Sequence, residues 1–399
     1  MHFMGYERPD GSVGIRNHVV IIPSVSCANE MAARIAEQVP GVRPIFNNHS
    51  CSRLKTDNDL ATRALVGLGA NPNAAAALVV GAGCDTVPAG EVADGIARTR
   101  KPVDYVDLEK EGSYDATVEK GVAVARALLA KAAALERKSC GISNLTLGMK
   151  CTSSDTTSTI ACNPVVGQAT DFIIANGGSA IFTETTELIG ATHILSRRAV
   201  DERVASDLCR KVEEMRQRIK RARVDILRSQ PNPGNMKGGI STIEEKSLGG
   251  IGKAGSASIK GVLEWGEKPP TRGLYFMDGT ANTQMVIVGL AAAGAQIMSL
   301  SMGGGVCARL RTSTINTAGG GLPVLPIVKT LSNPQSLPEA EYFDVYVGGI
   351  VEGRESVADA GKRFIDEIIA VASGKLTKLE SIDSPFQEVW DFYSVGPLV

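Results

Sequence analysis

The sequence predicts an α/β fold made of two units, each with a mainly parallel sheet covered by helices. Over residues 18–138, short runs rich in Val, Ile and Ala alternate with helical segments, which is the pattern of βα units. These runs are continuously apolar, as in strands buried on both faces. The alternation resumes after residue 141 and is interrupted by a glycine-rich segment at 231–258. We therefore predict an N-terminal α/β domain at 1–140 and a C-terminal α/β domain at 141–399, with glycine-rich loops near the active site.

In the first unit, each predicted strand is an apolar run that precedes an amphipathic segment. The predicted strands span 18–25, 43–46, 76–83 and 102–108, and the predicted helices span 27–39, 57–69, 90–99 and 114–138. The boundary between the units is placed where the last of these helices ends.

The second unit is predicted from the same signals. Its predicted strands span 144–150, 179–184, 272–278, 296–301 and 344–351, and its predicted helices span 201–227, 283–295 and 356–374. A short helix at 241–250 is indicated by a capping box, Thr242 and Glu245, and ends at two glycines.

Composition excludes several classes of function. The 399 residues carry 42 basic and 43 acidic side chains, a net charge of −1, which disfavours nucleic-acid and membrane-surface partners. The N-terminus lacks the features of a signal peptide, and no apolar run approaches the roughly 20 residues of a spanning helix. We expect a cytoplasmic protein whose eight cysteines are free thiols.

Three of those cysteines share one context. Cys51, Cys84 and Cys151 each follow a predicted strand and precede small or polar residues. The carboxyl ends of parallel strands form the ligand crevice of an open sheet, so three thiols meeting there would bind a metal ion or an iron–sulfur cluster. The alternative is that each thiol is a small buried apolar side chain.

Five further residues are candidates for acid–base chemistry. His49 lies two positions before a candidate ligand, and His193 follows an acidic strand end. Glu184 and Glu187 flank two threonines where a buried strand ends, and carboxylates there either bind metal and move protons or decorate a helix N-terminus. Lys246 projects from the short capped helix, where it binds an anionic substrate or is an ordinary surface lysine.

Familiar nucleotide and hydrolase motifs fail. The segment 81–90, GAGCDTVPAG, has Thr86 where the third glycine of a dinucleotide-binding loop belongs, which disfavours a NAD-dependent dehydrogenase. Neither a P-loop nor the G-x-S-x-G motif of serine hydrolases occurs.

Four long segments resemble one enzyme family. GYERPDGSVGIRNHVVIIPSVSCAN, TETTELIGATHILSRRAV, PNPGNMKGGISTIEEKSLG and VGGIVEGRESVADAG are similar to the large catalytic part of the altronate and galactarate dehydratases and of the related sulfolactate sulfo-lyases. The resemblance implies a lyase that eliminates water or sulfite from a sugar acid or 2-hydroxy acid and yields a 2-keto acid. It also implies iron, as Fe²⁺ or an iron–sulfur cluster, with Cys51, Cys84 and Cys151 at the family's cysteine positions.

The resemblance further implies a small domain of roughly a hundred residues, fused upstream or supplied as a separate small subunit. This chain starts directly at GYERPDG, so we expect a separate subunit or a member that works without one, and a homo-oligomer. Four turns depart from the family pattern: C-G-G-S-D is CTSSD at 151–155, G-L-G-C-E is GAGCD at 81–85, D-T-P-G is DGTA at 278–281, and G-R-G is GGG at 303–305. These changes leave open an altered substrate or a loss of activity.

The expected elimination needs a base, a Lewis acid and a clamp for the substrate carboxylate. Arg16, Arg53 and Arg309 are the candidate clamps, and the hydroxyl-rich run after Cys151 is expected to hold substrate hydroxyls or a sulfonate. The full set of predicted substrate-binding residues is Arg16, Asn17, Arg53, Ser154, Asp155, Asn163, Asn235 and Arg309. The alternative is a non-catalytic subunit or sugar-acid binding module that kept the lyase scaffold.

Overall fold

The computed structural model describes residues 1–223, 225–226, 229–305, 308, 321–382 and 388–396. Its strands are β1 (His2–Glu7), β2 (Val13–Gly14), β3 (His18–Pro23), β4 (Val42–Pro44), β5 (Phe46–Asn47), β6 (Ala74–Gly81), β7 (Val103–Asp107), β8 (Lys138–Gly141), β9 (Thr146–Thr152), β10 (Ser179–Phe182), β11 (Ile259–Leu263), β12 (Leu274–Met277), β13 (Ile297–Met302), β14 (Ile327–Leu331), β15 (Val345–Tyr346) and β16 (Val389–Trp390). Its α-helices are α1 (Asn29–Gln38), α2 (Lys55–Ala70), α3 (Ala89–Ala97), α4 (Leu108–Glu111), α5 (Tyr114–Ala133), α6 (Asn163–Ala175), α7 (Thr192–Ser196), α8 (Glu202–Arg221), α9 (Pro233–Lys237), α10 (Ile243–Gly250), α11 (Thr283–Ala292) and α12 (Val357–Ala372).

The first sheet is parallel, with the strand order β4-β3-β6-β7. All eight residues of β6 are buried, because helices cover both faces of the sheet. Helices α1 and α5 share one apolar cluster with the first face, and α2 and α3 share another with the second. This arrangement explains why the sequence of β6 is a continuous apolar run.

The second sheet is parallel and has seven strands in the order β11-β12-β10-β9-β13-β14-β15. Strand β9 lies at its centre and pairs with β10 and β13. Helices α6, α8 and α12 bury their apolar residues on one face, and α11 covers the other. The residues that follow β9, β10 and β12 therefore meet at one edge, where ligands bind in open parallel sheets.

A single apolar cluster joins the two sheets. It contains Leu65 and Leu68 of α2 together with Leu290 of α11. The helices approach closely at Gly67, where an added Cβ would lie 2.5 Å from the carbonyl oxygen of Ala292. Only glycine permits that approach, so we regard the α2–α11 contact as the main packing between the sheets.

Both ends of the described chain cross between the units. Strand β1 pairs antiparallel with β8 and packs Phe3 in the apolar cluster of the seven-stranded sheet, and β16 pairs in parallel with β5 of the first unit. The carboxylate of Asp57 accepts hydrogen bonds from the backbone N–H groups of Val395 and Gly396. None of the helices in the described part of the chain is long and apolar enough to cross a membrane.

The predicted α/β fold is confirmed, with local differences. The predicted strand 43–46 is divided into β4 and β5, and the regular part of the predicted helix 201–227 ends at Arg221. Only two residues of 344–351 form a strand. The predicted capping box of α10 forms with both of its hydrogen bonds. The Thr242 side chain accepts from the backbone N–H of Glu245, and the Glu245 side chain accepts from the backbone N–H of Thr242. The domain boundary after residue 140 stays a prediction.

Protonation of His18 should weaken the fold in mild acid. Burial, together with the nearby charges of Arg43, Arg16 and Arg8, lowers the pKa of His18 to about 4, although Glu380 acts in the opposite direction. The unfolded chain has the ordinary pKa of about 6.5 and binds the proton first as pH falls. The free energy of unfolding should therefore fall by about 2 kcal/mol between pH 6.5 and pH 4.

The measurement is urea denaturation of wild type and His18→Gln across this pH range. Wild type should lose stability more steeply than the variant, which keeps only the contribution of groups such as His49, whose pKa burial also lowers to about 4. Parallel pH dependence of the two proteins would contradict the assignment.

Candidate active site

Three acidic or thiol side chains meet at the carboxyl edge of the seven-stranded sheet. Cys151 lies near the end of β9, Glu184 follows β10, and Glu187 lies on the 3-10 turn Thr185–Leu188. They are 0 to 3% exposed, and their ligand atoms all lie within 4.8 Å of one another. Among the residues that the structure describes, no other group of three His, Cys, Asp or Glu side chains converges in this way.

The inner atoms of this group are one sulfur and two carboxylate oxygens. Cys151 Sγ lies 3.2 Å from Glu187 Oε2 and 3.8 Å from Glu184 Oε2. We call these three side chains the acidic triad. A thiol and two carboxylates are a donor set for a borderline divalent cation such as Fe²⁺.

Three buried lysines surround the acidic triad. Lys150 Nζ lies 2.6 Å from Glu184 Oε1, and Lys246 Nζ lies 3.0 Å from Glu187 Oε1. These two lysines therefore contact the outer oxygen of each carboxylate. Lys253 Nζ instead lies 2.7 Å from the inner oxygen Glu184 Oε2 and 3.1 Å from Cys151 Sγ.

The charges of the group are strongly coupled. Burial, together with the charges of Glu184 and Glu187, raises the pKa of Cys151 to about 12. Burial alone would raise the pKa of Glu187, but Lys246 and Lys253 outweigh it and lower that pKa to about 2. Burial would lower the pKa of Lys253, yet Cys151 and the two carboxylates raise it above its ordinary value. At neutral pH Glu187 is therefore a charged carboxylate and Lys253 is an ammonium.

The backbone of Glu184 is strained. Its φ of +79° lies in the left-handed region, which costs a non-glycine residue on the order of 1 kcal/mol or more. The buried contacts with Lys150 and Lys253 hold it there. Strain of this kind concentrates at functional sites, where the surrounding structure compensates for it.

Four of the predicted substrate-binding residues lie in a polar network beside the triad. Asn235 accepts a hydrogen bond from Lys246 and donates one to the carbonyl of Ser154. Asp155 accepts from Asn333 and from the backbone of its own loop, and Asn163 links the carbonyl of Gly249 to the hydroxyl of Ser301. The network fixes the loop after β9 against α9 and the start of α6 against α10, so these side chains support the site.

The predicted convergence of three cysteines is corrected by the structure. Cys51 and Cys84 are exposed, with Cys51 Sγ 4.0 Å from the carbonyl oxygen of Cys84, whereas Cys151 is buried in the acidic triad. The physical reason is that Cys51 follows β5 and Cys84 follows β6 in the N-terminal part of the chain, whereas Cys151 lies on β9 at the centre of the seven-stranded sheet. The three sulfurs therefore do not form one ligand set in the described structure.

A second polar region surrounds Cys51 and Cys84. His49 is 1% exposed, and within the described residues neither ring nitrogen has a hydrogen-bond partner. The buried Nε of Arg53 and Oδ1 of Asp85 also lack partners there. Buried polar atoms without partners are rare in folded proteins. The region around Cys51 and Cys84 is therefore still a candidate ligand-binding region.

The predicted role of Arg16 is also corrected. All three guanidinium nitrogens are engaged: Nε and Nη2 bind Glu380 at 2.7 and 2.8 Å, Nη1 donates to the carbonyls of Ile15 and Val371, and Nη2 donates to that of Lys375. The side chain therefore holds the C-terminal part of the chain and has no free donor for a substrate. Asn17 is likewise used internally, between Arg8 and the carbonyl of Ala132.

Two predicted residues remain. His193 is exposed on α7, where its carbonyl accepts a hydrogen bond from Arg197. Arg309 lies outside the described residues. Sequence reasoning missed Lys150 and Lys253. Lys150 carries a signal, a charge inside the apolar run of β9, but Lys253 in IGKAG is not distinguished from any other lysine.

Two family models match most of the chain. Residues 142–395 match the family model D-galactarate/Altronate dehydratase, C-terminal, and residues 5–133 match D-galactarate dehydratase/Altronate hydrolase, second domain. The beta subunit of (2R)-sulfolactate sulfo-lyase from Chromohalobacter salexigens is 33% identical over 95% of this chain and 95% of its own length.

Two dehydratases are also similar. Altronate dehydratase from Bacillus subtilis is 32% identical over 98% of this chain and 78% of its own length. Galactarate dehydratase (L-threo-forming) from Escherichia coli is 29% identical over 94% of this chain and 73% of its own length. The chain therefore belongs to the D-galactarate/altronate dehydratase family of lyases.

Proposed function

We propose that this protein catalyses a metal-dependent β-elimination on a sugar acid or 2-hydroxy acid. In this reaction a base removes the C2 proton, a C2=C3 double bond forms, and the C3–O or C3–S bond breaks. The hydroxyl takes up a proton and leaves as water, or the sulfonate leaves as sulfite, and the resulting enol becomes a 2-keto acid. The observation that carries the proposal is the buried acidic triad, Cys151, Glu184 and Glu187, at the carboxyl edge of the sheet. The reactions named for the matched relatives support the choice of an elimination.

The donor set fits a single borderline divalent cation, which we propose to be Fe²⁺. Two carboxylates and one thiol are available, whereas an iron–sulfur cluster is held by several cysteine thiolates. When bound, such an ion acts as a Lewis acid that stabilises negative charge on the substrate oxygens. The predicted ligands Cys51 and Cys84 do not belong to this donor set.

The residues around the triad orient it and attract an acidic substrate. Lys150 and Lys246 fix the outer oxygens Glu184 Oε1 and Glu187 Oε1, which leaves both Oε2 atoms directed at Cys151. With Lys253, three ammonium groups face two carboxylates in a buried region. This excess of positive charge favours an anionic ligand, as a sugar acid is.

The predicted residues outside the triad have supporting roles in this proposal. Ser154, Asp155, Asn163 and Asn235 position the loop that borders the triad. His49 and His193 stay candidate proton carriers, and Arg53 stays a candidate carboxylate clamp. The name of the sulfo-lyase relative, a beta subunit, supports a separate partner subunit for this chain; a homo-oligomer is likewise proposed.

The test is a substrate screen with protein purified without oxygen and supplied with Fe²⁺. A panel of sugar acids and 3-substituted 2-hydroxy acids, including 3-sulfolactate, is assayed for 2-keto acid and for released sulfite. We expect 2-keto acid from at least one compound, and loss of that activity by about 100-fold or more in Cys151→Ser. Release of sulfite would show that the leaving group is sulfite and not water.

Cys140→Ser is the matched control, because Cys140 is a buried thiol on β8 that packs in an apolar cluster and does not belong to the acidic triad. It should keep full activity. Full activity in Cys151→Ser would remove the thiol from the mechanism. Binding of sugar acids without turnover or iron dependence would support the binding-module alternative.

A further inference from the structure

We propose that the ammonium group of Lys253 occupies the cation position of the acidic triad and must leave it when the metal ion binds. Lys253 would then set the affinity of the site for metal. This inference rests on the proposed function, because it concerns the same metal site. The inference is argued from the positions of the three lysines. Two of them contact outer carboxylate oxygens, whereas Lys253 contacts an inner one.

Lys253 Nζ lies among the three inner atoms. It is 2.7 Å from Glu184 Oε2, 3.1 Å from Cys151 Sγ and 4.0 Å from Glu187 Oε2. These are the atoms whose mutual distances make the triad a metal-binding group. Nζ contacts two of these atoms and lies beside the space between all three, so a metal ion bound to all three would be too close to the ammonium group for both cations to stay.

Lys150 and Lys246 do not compete in this way. Lys150 Nζ contacts Glu184 Oε1 and the carbonyls of Cys151 and Ala281. Lys246 Nζ contacts Glu187 Oε1 and Asn235 Oδ1. Both bind the outer oxygens, so they keep the carboxylates oriented whether Lys253 or a metal ion occupies the centre.

Departure of Lys253 is feasible without loss of the fold. Its side chain is a flexible four-carbon stem on the short 3-10 turn Ile251–Ala254, between glycines 252 and 255. When Nζ leaves, Glu184 keeps its contact with Lys150 and Glu187 keeps its contact with Lys246. The two outer lysines thus prevent a buried carboxylate from losing every partner.

The experiment measures Fe²⁺ binding by anaerobic equilibrium dialysis, with Cys151→Ser as the reference for iron bound elsewhere. Lys253→Met, which keeps the length of the side chain and removes the charge, should bind Fe²⁺ more tightly by about tenfold or more. Lys253→Arg, which keeps the charge, should bind no more tightly than wild type. Lys246→Met should change the affinity less than Lys253→Met.

Each outcome is decisive. Equal or weaker Fe²⁺ binding by Lys253→Met than by wild type would overturn this inference and leave the proposed function standing. Absence of triad-dependent binding in wild type and Lys253→Met would overturn both. If Lys253→Met fails to fold, a crystal structure of the iron-loaded wild type decides: Nζ away from Glu184 Oε2 supports the inference, and Nζ still bonded to it with iron in the triad refutes it.

Discussion

Replacing Glu184 by Gln should reduce turnover by about 100-fold or more and lower the free energy of unfolding by about 3 kcal/mol. The substitution keeps the shape of the side chain but removes its charge. Lys150 and Lys253, both buried, would each lose the carboxylate that they contact at 2.6 and 2.7 Å. An ammonium left unpaired in a buried site is strongly destabilising. Initial rates and urea denaturation at neutral pH measure the two effects.

The double variant Glu184→Gln/Lys150→Met tests the cause of that loss. Removing the Lys150 ammonium group, which has lost its carboxylate partner, should restore part of the stability but none of the activity. Asp207→Asn is the surface control, since its carboxylate contacts Arg210 on the exposed face of α8, and such pairs contribute about 0.5 kcal/mol or less. Wild-type stability in Glu184→Gln would mean that the buried pairing has been misassigned.

The helices and strands were predictable where burial alone determines the sequence. Strands β3 and β6 are covered on both faces, so their apolar runs identify them without any knowledge of their partners. The capping box of α10 was predictable because it is local, with donor and acceptor three residues apart. The division of 43–46 into β4 and β5 was not predicted, since nothing in RPIF marks the change of partner from β3 to β16.

The candidate site was only partly predictable, for a different reason. Cys151, Glu184 and Glu187 follow or end strands, and the carboxyl ends of parallel strands meet at one edge. Which strands belong to the same sheet is a long-range property, so the sequence could not separate Cys151 from Cys51 and Cys84. The strand order that places β9 beside β10 brings the two glutamates to Cys151 instead.

Arg16→Lys and Arg53→Lys should have opposite effects, although both arginines were predicted from the sequence as carboxylate clamps. Arg16 binds Glu380 through Nε and Nη2, and it binds three backbone carbonyls through Nη1 and Nη2. A lysine has a single ammonium nitrogen in place of the three guanidinium nitrogens, so several buried acceptors would lose their hydrogen-bond donors. We expect Arg16→Lys to lower the free energy of unfolding by about 3 kcal/mol and to change KM less than twofold.

Arg53, unlike Arg16, has a donor nitrogen that no internal contact in the described part of the chain uses. Its buried Nε has no partner within the described residues, and it lies at the edge that contains His49. Arg53→Lys should therefore leave the free energy of unfolding nearly unchanged, while KM rises about tenfold if this guanidinium binds the substrate carboxylate. Urea denaturation and steady-state kinetics on both variants give the comparison. A raised KM with unchanged stability in Arg16→Lys would return Arg16 to the substrate site, because internal contacts alone cannot produce that pair of results.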